Sequence, residues 1–210
     1  MAGLVITIAQ RKGGAGKTTL AAQLAVTWAQ SGAQVAVLDI DPQGSLAAWV
    51  ELRRARLGAN AVGFDFAALP GWRAASWIEE QARRNDLIVI DNPPHAETEA
   101  QIAVRAAGLV IIPVQPSPLD LWATEATLKM VRDERRRALV VLNRVPSRST
   151  LTDHVAAELA RSGAPVAPTR IGNRIALVRA MMSGLGVVES EGASQAAAEI
   201  TAFAAEVRQR

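Results

Sequence analysis

Ten residues near the start of the chain hold its densest chemistry: Gln10, Arg11, Lys12, Gly13, Gly14, Ala15, Gly16, Lys17, Thr18 and Thr19. They follow a short apolar run and open a segment of helical length, where a phosphate-binding loop belongs. Glycines let backbone N–H groups turn inward around phosphate oxygens, and a helix N-terminus adds partial positive charge. Lys17 can then reach the β- and γ-phosphates, and Thr18 can ligate Mg2+. The general pattern G-x-x-x-x-G-K-[ST] asks for glycine at position 11, and here that position is Arg11. Two carboxylates, Asp39 and Asp41, end a second apolar run in the stretch Asp39-Ile40-Asp41-Pro42-Gln43-Gly44, and Asp91 ends a third, Leu87 to Asp91. In an open α/β sheet, ligands bind at the carboxyl ends of the strands. Asp91 there would hold Mg2+ through water. Asp41 has a second reading, as a cap on a helix beginning at Pro42.

The elements that must position these groups follow from hydropathy. Leu4 to Ala9, Val35 to Ile40, Leu87 to Asp91, Leu109 to Val114 and Leu139 to Val145 are near-continuously apolar, as strands buried on both faces of a parallel sheet are. Helical patterns lie between them: Thr18 to Gln30 before Gly32, Gln43 to Arg56, Trp72 to Arg84, and Leu119 to Arg132 after Pro116 and Pro118. The order implies a doubly wound α/β fold, a mostly parallel sheet with helices on both faces, in one domain spanning 1–210. Ala193 to Arg208 reads as a last helix, its apolar residues Ala197, Ile200, Phe203, Ala204 and Val207 spaced to pack on the domain.

Composition narrows the chemistry. The 210 residues are 50% hydrophobic and 20% charged with no cysteine, which excludes disulfide frameworks, thiolate metal sites and thiol nucleophiles. No apolar run reaches the roughly 18 to 20 residues of a membrane span, and no export signal is evident, so a cytoplasmic protein is expected. The chain has 20 Arg but only 3 Lys, and two of those lysines are Lys12 and Lys17. Compact point charges are kept where phosphates would sit, in a chain that elsewhere uses planar forks. His95 and His154 lack companion acids or thiols at metal spacing and are read as non-catalytic.

The stretch Lys12 to Thr18 fits K-G-G-x-G-K-T, the deviant Walker A motif, and on it the chain resembles the ParA/MinD family of P-loop ATPases. Asp39-Ile40-Asp41-Pro42-Gln43 is similar to that family's D-x-D-P-Q segment, and Asp91 with Asn92-Pro93-Pro94 to its Walker B strand and switch. Leu109 to Asp120 resembles the following segment of small ParF-type partition ATPases, and Val141-Leu142-Asn143-Arg144 a strand ending in Asn-Arg. The resemblance implies ATP hydrolysis with Mg2+. Gly13, Gly14, Ala15, Gly16, Thr18 and Thr19 would cradle the nucleotide; Lys17 would serve its own phosphates, and Lys12 those of a partner across a nucleotide-sandwich homodimer. Asp39 would support the Mg2+ shell with Thr18 and Asp91, Asp41 would orient or activate the attacking water, and Asn143 would pair with adenine. A turn role for Asn143 stays open.

The net charge of +3 is unevenly spread. Met1 to Met130 carries 11 basic and 12 acidic residues, whereas Arg132 to Arg179 carries 10 Arg and 4 acids. Such a region can neutralise DNA phosphates, and dimerisation would double it; a solvated arginine-rich face is the plainer alternative. The resemblance directs the first reading to Arg144, Arg148, Arg170, Arg174 and Arg179, binding DNA without regard to sequence. It also implies slow turnover, stimulation by a ParB-like or cargo-adaptor protein, and a nucleoid-associated life spent positioning plasmid, chromosome or protein cargo. A MinD-like membrane-cycling ATPase is the alternative, against which the last helix offers little basic amphipathic character.

Overall fold

The computed structural model describes residues 3–58, 61–94, 97–148 and 150–210. Its strands are β1 (Leu4–Ile8), β2 (Val35–Asp39), β3 (Asp65–Ala68), β4 (Leu87–Asp91), β5 (Leu109–Val114) and β6 (Arg137–Leu142). They form one all-parallel sheet in the order β3-β2-β4-β1-β5-β6. The expected doubly wound architecture is therefore present. β2 and β4 are buried along their whole length, as their unbroken apolar runs require.

Helices α1 (Lys17–Gln30), α2 (Ser45–Leu57), α3 (Gly71–Gln81), α4 (Glu97–Ala106), α5 (Pro118–Asp133), α6 (Thr150–Arg161), α7 (Ile175–Met182), α8 (Val187–Ser190) and α9 (Gln195–Arg208) cover both faces. On one face Ile6, Ile8, Val37, Val89 and Ile111 pack against α1 and α9. On the other, Ile88 and Ile90 meet Ala74, Ile78 and Ala103 of α3 and α4, and Val110 and Ile112 meet Leu128 and Val131 of α5. The α9 stripe lies in the core, and the buried Trp28 of α1 donates its indole N–H to the Ala204 carbonyl at 3.1 Å.

Several boundaries differ from the sequence expectation. β3 was not expected: it is a short, half-exposed edge strand, Asp-Phe-Ala-Ala, without a β-branched residue. Nor were α4 and α6 read from their patterns. α2 begins at Ser45 instead of Gln43, because Gly44 takes a left-handed conformation (φ 63°) and starts the helix there. β6 stops at Leu142 because the Asn143 N–H closes the ladder on the Val114 carbonyl and Arg144 then turns with φ 52°.

One break in the ladder shapes the site. β1 and β5 pair only as far as Ile8 and Ile111, with the Ala9 N–H closing on the Ile111 carbonyl at 3.0 Å. The next β5 residue facing β1 is Pro113, which has no N–H to give. Its carbonyl is taken instead by the Gln10 side-chain amide at 3.3 Å, and the main chain departs into the glycine loop.

Candidate nucleotide site at the carboxyl edge of the sheet

The loop Arg11 to Gly16 joins β1 to α1 at the carboxyl edge of the central strands. Gly14 and Gly16 have φ of 76° and 91°, a region open to glycine at little cost. Space demands glycine at position 16 as well, since a Cβ there would stand 2.6 Å from Nδ2 of Asn143. That amide donates to the Ala15 carbonyl at 2.8 Å, so the buried Asn143 braces the loop from β6.

Lys17 starts α1 with its ammonium buried and donating to the Gln10 carbonyl at 3.3 Å. Burial lowers its pKa, while Asp91 and Asp41 pull the other way. Thr18 donates its hydroxyl to Oδ2 of Asp91 at 2.6 Å, and Oδ1 of Asp91 is buried with no hydrogen-bond partner among the described residues. Burial pushes the Asp91 carboxyl up to about 7, against the Thr18 hydrogen bond and with the added repulsion of Asp39. A buried acid with an orphan oxygen beside a hydroxyl and a lysine is a costly arrangement that a divalent cation would relieve. No group of three or more acids, histidines or cysteines placed to hold a metal occurs among the described residues. That donor set fits Mg2+, which binds through one or two protein oxygens and completes its shell with water and phosphate.

Asp39 and Asp41 divide their work. Asp39 pairs in register with Asp91 and is buried; its Oδ1 accepts from Asp41 N–H at 3.0 Å and its Oδ2 from Ala47 N–H at 2.9 Å. Both oxygens thus fasten the strand end to the first turn of α2. Burial raises its pKa, and those N–H bonds oppose the rise. Asp41 does not cap α2. Its Oδ1 accepts the Gln43 N–H at 2.9 Å in a turn, and the side chain keeps partial exposure at the mouth of the site.

Lys12 points another way. Its Nζ lies 2.5 Å from Oδ2 of Asp120, a fully buried acid at the start of α5 that also accepts from the Ser117 hydroxyl. Gln115 donates to the Gly14 carbonyl at 2.9 Å, and Gln10 reaches Thr124 and Thr127 of α5. The outer wall of the loop is therefore built by the β5–α5 corner. Sequence reasoning missed Asp120. Its signal was an acid two residues after a proline in the segment Pro116 to Asp120, where Ser117 caps a helix and Pro118 begins it.

Beside Gly16 and Thr19 a cavity of about 270 Å³ opens, bounded by Asn143, Arg144, Gly172, Asn173 and Arg174 and by Leu177, Val178, Met181 and Met182 of α7. Val178 and Met182 are exposed on that helix, an apolar platform of the kind that takes a flat base. Two of the arginines assigned to DNA, Arg144 and Arg174, therefore stand at this cavity. Arg174 is paired with Glu199 at 2.6 Å, Arg170 with Asp153 at 2.7 Å, and Arg179 with both oxygens of Glu191 at 2.9 and 3.0 Å. Arg144 and Arg148 are exposed, and neither makes an ion pair among the described residues. His154 lies on α6 facing a groove with α5, and His95 lies outside the described residues.

The model of the CobQ/CobB/MinD/ParA nucleotide-binding domain matches residues 6–187 of the chain. The chain belongs to that family. The ParA/MinD members are ATPases, and the chain is an ATPase of that nucleotide-binding family. It is 30% identical to maintenance of carboxysome distribution protein A from Halothiobacillus neapolitanus, over 92% of this chain and 91% of that one. It is also 30% identical to the chromosome-partitioning ATPase Soj from Thermus thermophilus, over 98% and 95%. Among solved structures, the cell division ATPase MinD from Pyrococcus furiosus superposes with a TM-score of 0.81 at 22% identity, over 99% of each chain. Among the described residues, no helix of this ParA/MinD-family chain is long and apolar enough to cross a membrane.

Proposed function

We propose that this ATPase positions a cargo inside the cell by cycling between a monomer and an ATP-bound homodimer that holds non-specific DNA. The observation that carries the reading is the separate placement of the two loop lysines. Lys17 is buried inside its own loop, whereas Lys12 stands on the α5 side, held by Asp120 and a third exposed. A lysine held outside its own phosphate cradle is available for the phosphates of a second copy, at the cost of leaving Asp120. ATP would then favour the dimer by supplying Lys12 with a stronger anionic partner, and hydrolysis would return it to Asp120.

In this cycle the loop N–H groups and Lys17 hold the phosphates, while Thr18 and Asp91 would hold Mg2+, whose charge would offset that of the phosphate oxygens. Asp41 orients the attacking water and Asn143 meets the base. A ParB-like or cargo-adaptor protein stimulates the slow step. The names of the relatives include both carboxysome distribution and chromosome partitioning, which supports cargo positioning as the class of work. Nucleoid DNA as the track is supported by the exposed Arg144 and Arg148. A membrane surface is less well supported, because the apolar stripe of α9 is used in the core.

Light scattering with and without ATP, followed by titration with random-sequence DNA at several salt concentrations and with anionic liposomes, tests the reading. ATP-dependent dimers that bind DNA in a salt-sensitive way support it. Dimers that bind only liposomes overturn it in favour of membrane cycling.

A further inference from the structure

Arg53 of α2 is a buried cation, 2% exposed. Its guanidinium spends every face on a specific neighbour. Nε donates to the Val62 carbonyl at 2.8 Å and Nη1 to the Gly184 carbonyl at 3.2 Å, and the fork meets both oxygens of Glu189 at 2.7 Å. The plane lies 5.7 and 5.8 Å from the rings of Trp49 and Phe64. Glu189 in turn accepts from Gly186 N–H at 2.8 Å and Gln30 at 3.2 Å. Backbone contact reinforces the joint: Gly184, at φ 67°, approaches so closely that a Cβ would stand 2.6 Å from the Arg53 nitrogen.

This joint links two functional ends. The first turn of α2 is fastened to Asp39, and the turn before it carries Asp41. The loop that Arg53 grips follows directly on α7, whose Met181 and Met182 wall the cavity beside Gly16. α1 is tied to the same loop by Gln23, which donates to the Leu185 carbonyl at 3.4 Å and accepts the Val187 N–H at 2.6 Å. The 13-residue α2 is thus bonded through Arg53 to the loop that follows α7 and at its first turn to Asp39.

We infer that Arg53 is a positioning residue for hydrolysis, carrying the filling of the base cavity by a purine to the placement of Asp41. The inference rests on the cavity being the base site and on Asp41 as the water-orienting group. Base binding fixes the end of α7, Arg53 and Glu189 pass that constraint to α2, and α2 holds Asp41 in register with the phosphates.

The test compares ATP with ribose 5′-triphosphate, which keeps the phosphates and sugar but has no base, in the full chain and in Arg53→Lys and Glu189→Gln variants. Lysine keeps the charge but cannot reach three groups as a fork. In the parent chain, saturating ATP is expected to turn over about tenfold faster than the baseless triphosphate; in both variants that ratio should fall below about threefold, with ATP affinity changed less than about threefold. Gln30→Ala, which loosens Glu189 from its exposed side, should lower the ratio partway and serves if the buried variants do not fold. Equal slowing of both triphosphates, with the ratio kept, would reduce Arg53 to structural support and overturn the inference, as would a parent ratio near one. Failure of the base-site reading is separate: ATP and the baseless compound would then bind the parent with equal affinity.

Discussion

The phosphate loop and the arginine-rich C-terminal region contain similar residue types but differ in how their charges are settled. Around the loop, charge is left partly unsettled: among the described residues Asp91 keeps an orphan oxygen, the buried Lys17 ammonium donates to a carbonyl and to no carboxylate, and Asp120 has one oxygen unmatched. In the C-terminal region three of the five arginines read as DNA ligands have already found carboxylates. Unsatisfied buried charge is costly and persists where a ligand completes it. Satisfied surface pairs contribute little and call for no ligand. The contrast separates a site from a surface better than net charge does.

The largest effect expected from breaking this contrast lies in the loop. Lys17→Ala and Asp91→Asn should each lower ATP hydrolysis by about a hundredfold or more, measured by phosphate release, because each removes charge stabilisation that water cannot replace. Lys12→Ala should leave nucleotide affinity within about threefold and abolish the ATP-dependent dimer in light scattering. An unchanged dimer would remove its cross-dimer role. Asp120→Asn should act in the opposite sense, lowering the ATP concentration at which dimers form by about three- to tenfold, since Lys12 no longer leaves a buried acid behind.

Smaller effects sharpen the other side. Arg148→Glu should flatten the log–log salt dependence of DNA binding by about one unit for each phosphate left without its cation, whereas Arg179→Ala should change it by less than half of that. The pH dependence of folding gives the last test. Asp91 has its folded pKa raised from 3.8 to about 7, so the folded chain holds a proton that the unfolded chain releases. Its contribution to stability is therefore present at low pH and lost as pH rises through that window. Asp91→Asn should raise the melting temperature of nucleotide-free protein at pH 8 and change it little at pH 4, by calorimetry.

What was legible in the sequence follows the same division. Lys12 to Thr18, Asp39, Asp41 and Asp91 are contiguous or stand at the ends of apolar runs, so local pattern places them on one sheet edge. Asp120 and Gln115 were not legible as loop partners, because their contacts span about a hundred residues and depend on β5 lying next to β1. The excess of 10 Arg over 4 acids between Arg132 and Arg179 left two pairings out of view for that reason too: Glu191 and Glu199, the partners of Arg179 and Arg174, lie beyond that stretch. β3 and α4 were missed because a short edge strand and a helix poor in large apolar residues carry weak periodicity.

Pro113 has a thermodynamic consequence for ligand binding. With an N–H at that position, β1 could continue zipping against β5, and each nucleotide would have to unzip that rung before the loop could turn around its phosphates. The proline removes the closed alternative from the covalent chain itself. Binding then meets a loop that has already lost its competing conformation, and less of the interaction free energy is consumed in reorganisation. Pro113, a residue of the sheet and not of the loop, is thereby expected to lower the nucleotide concentration at which the loop fills.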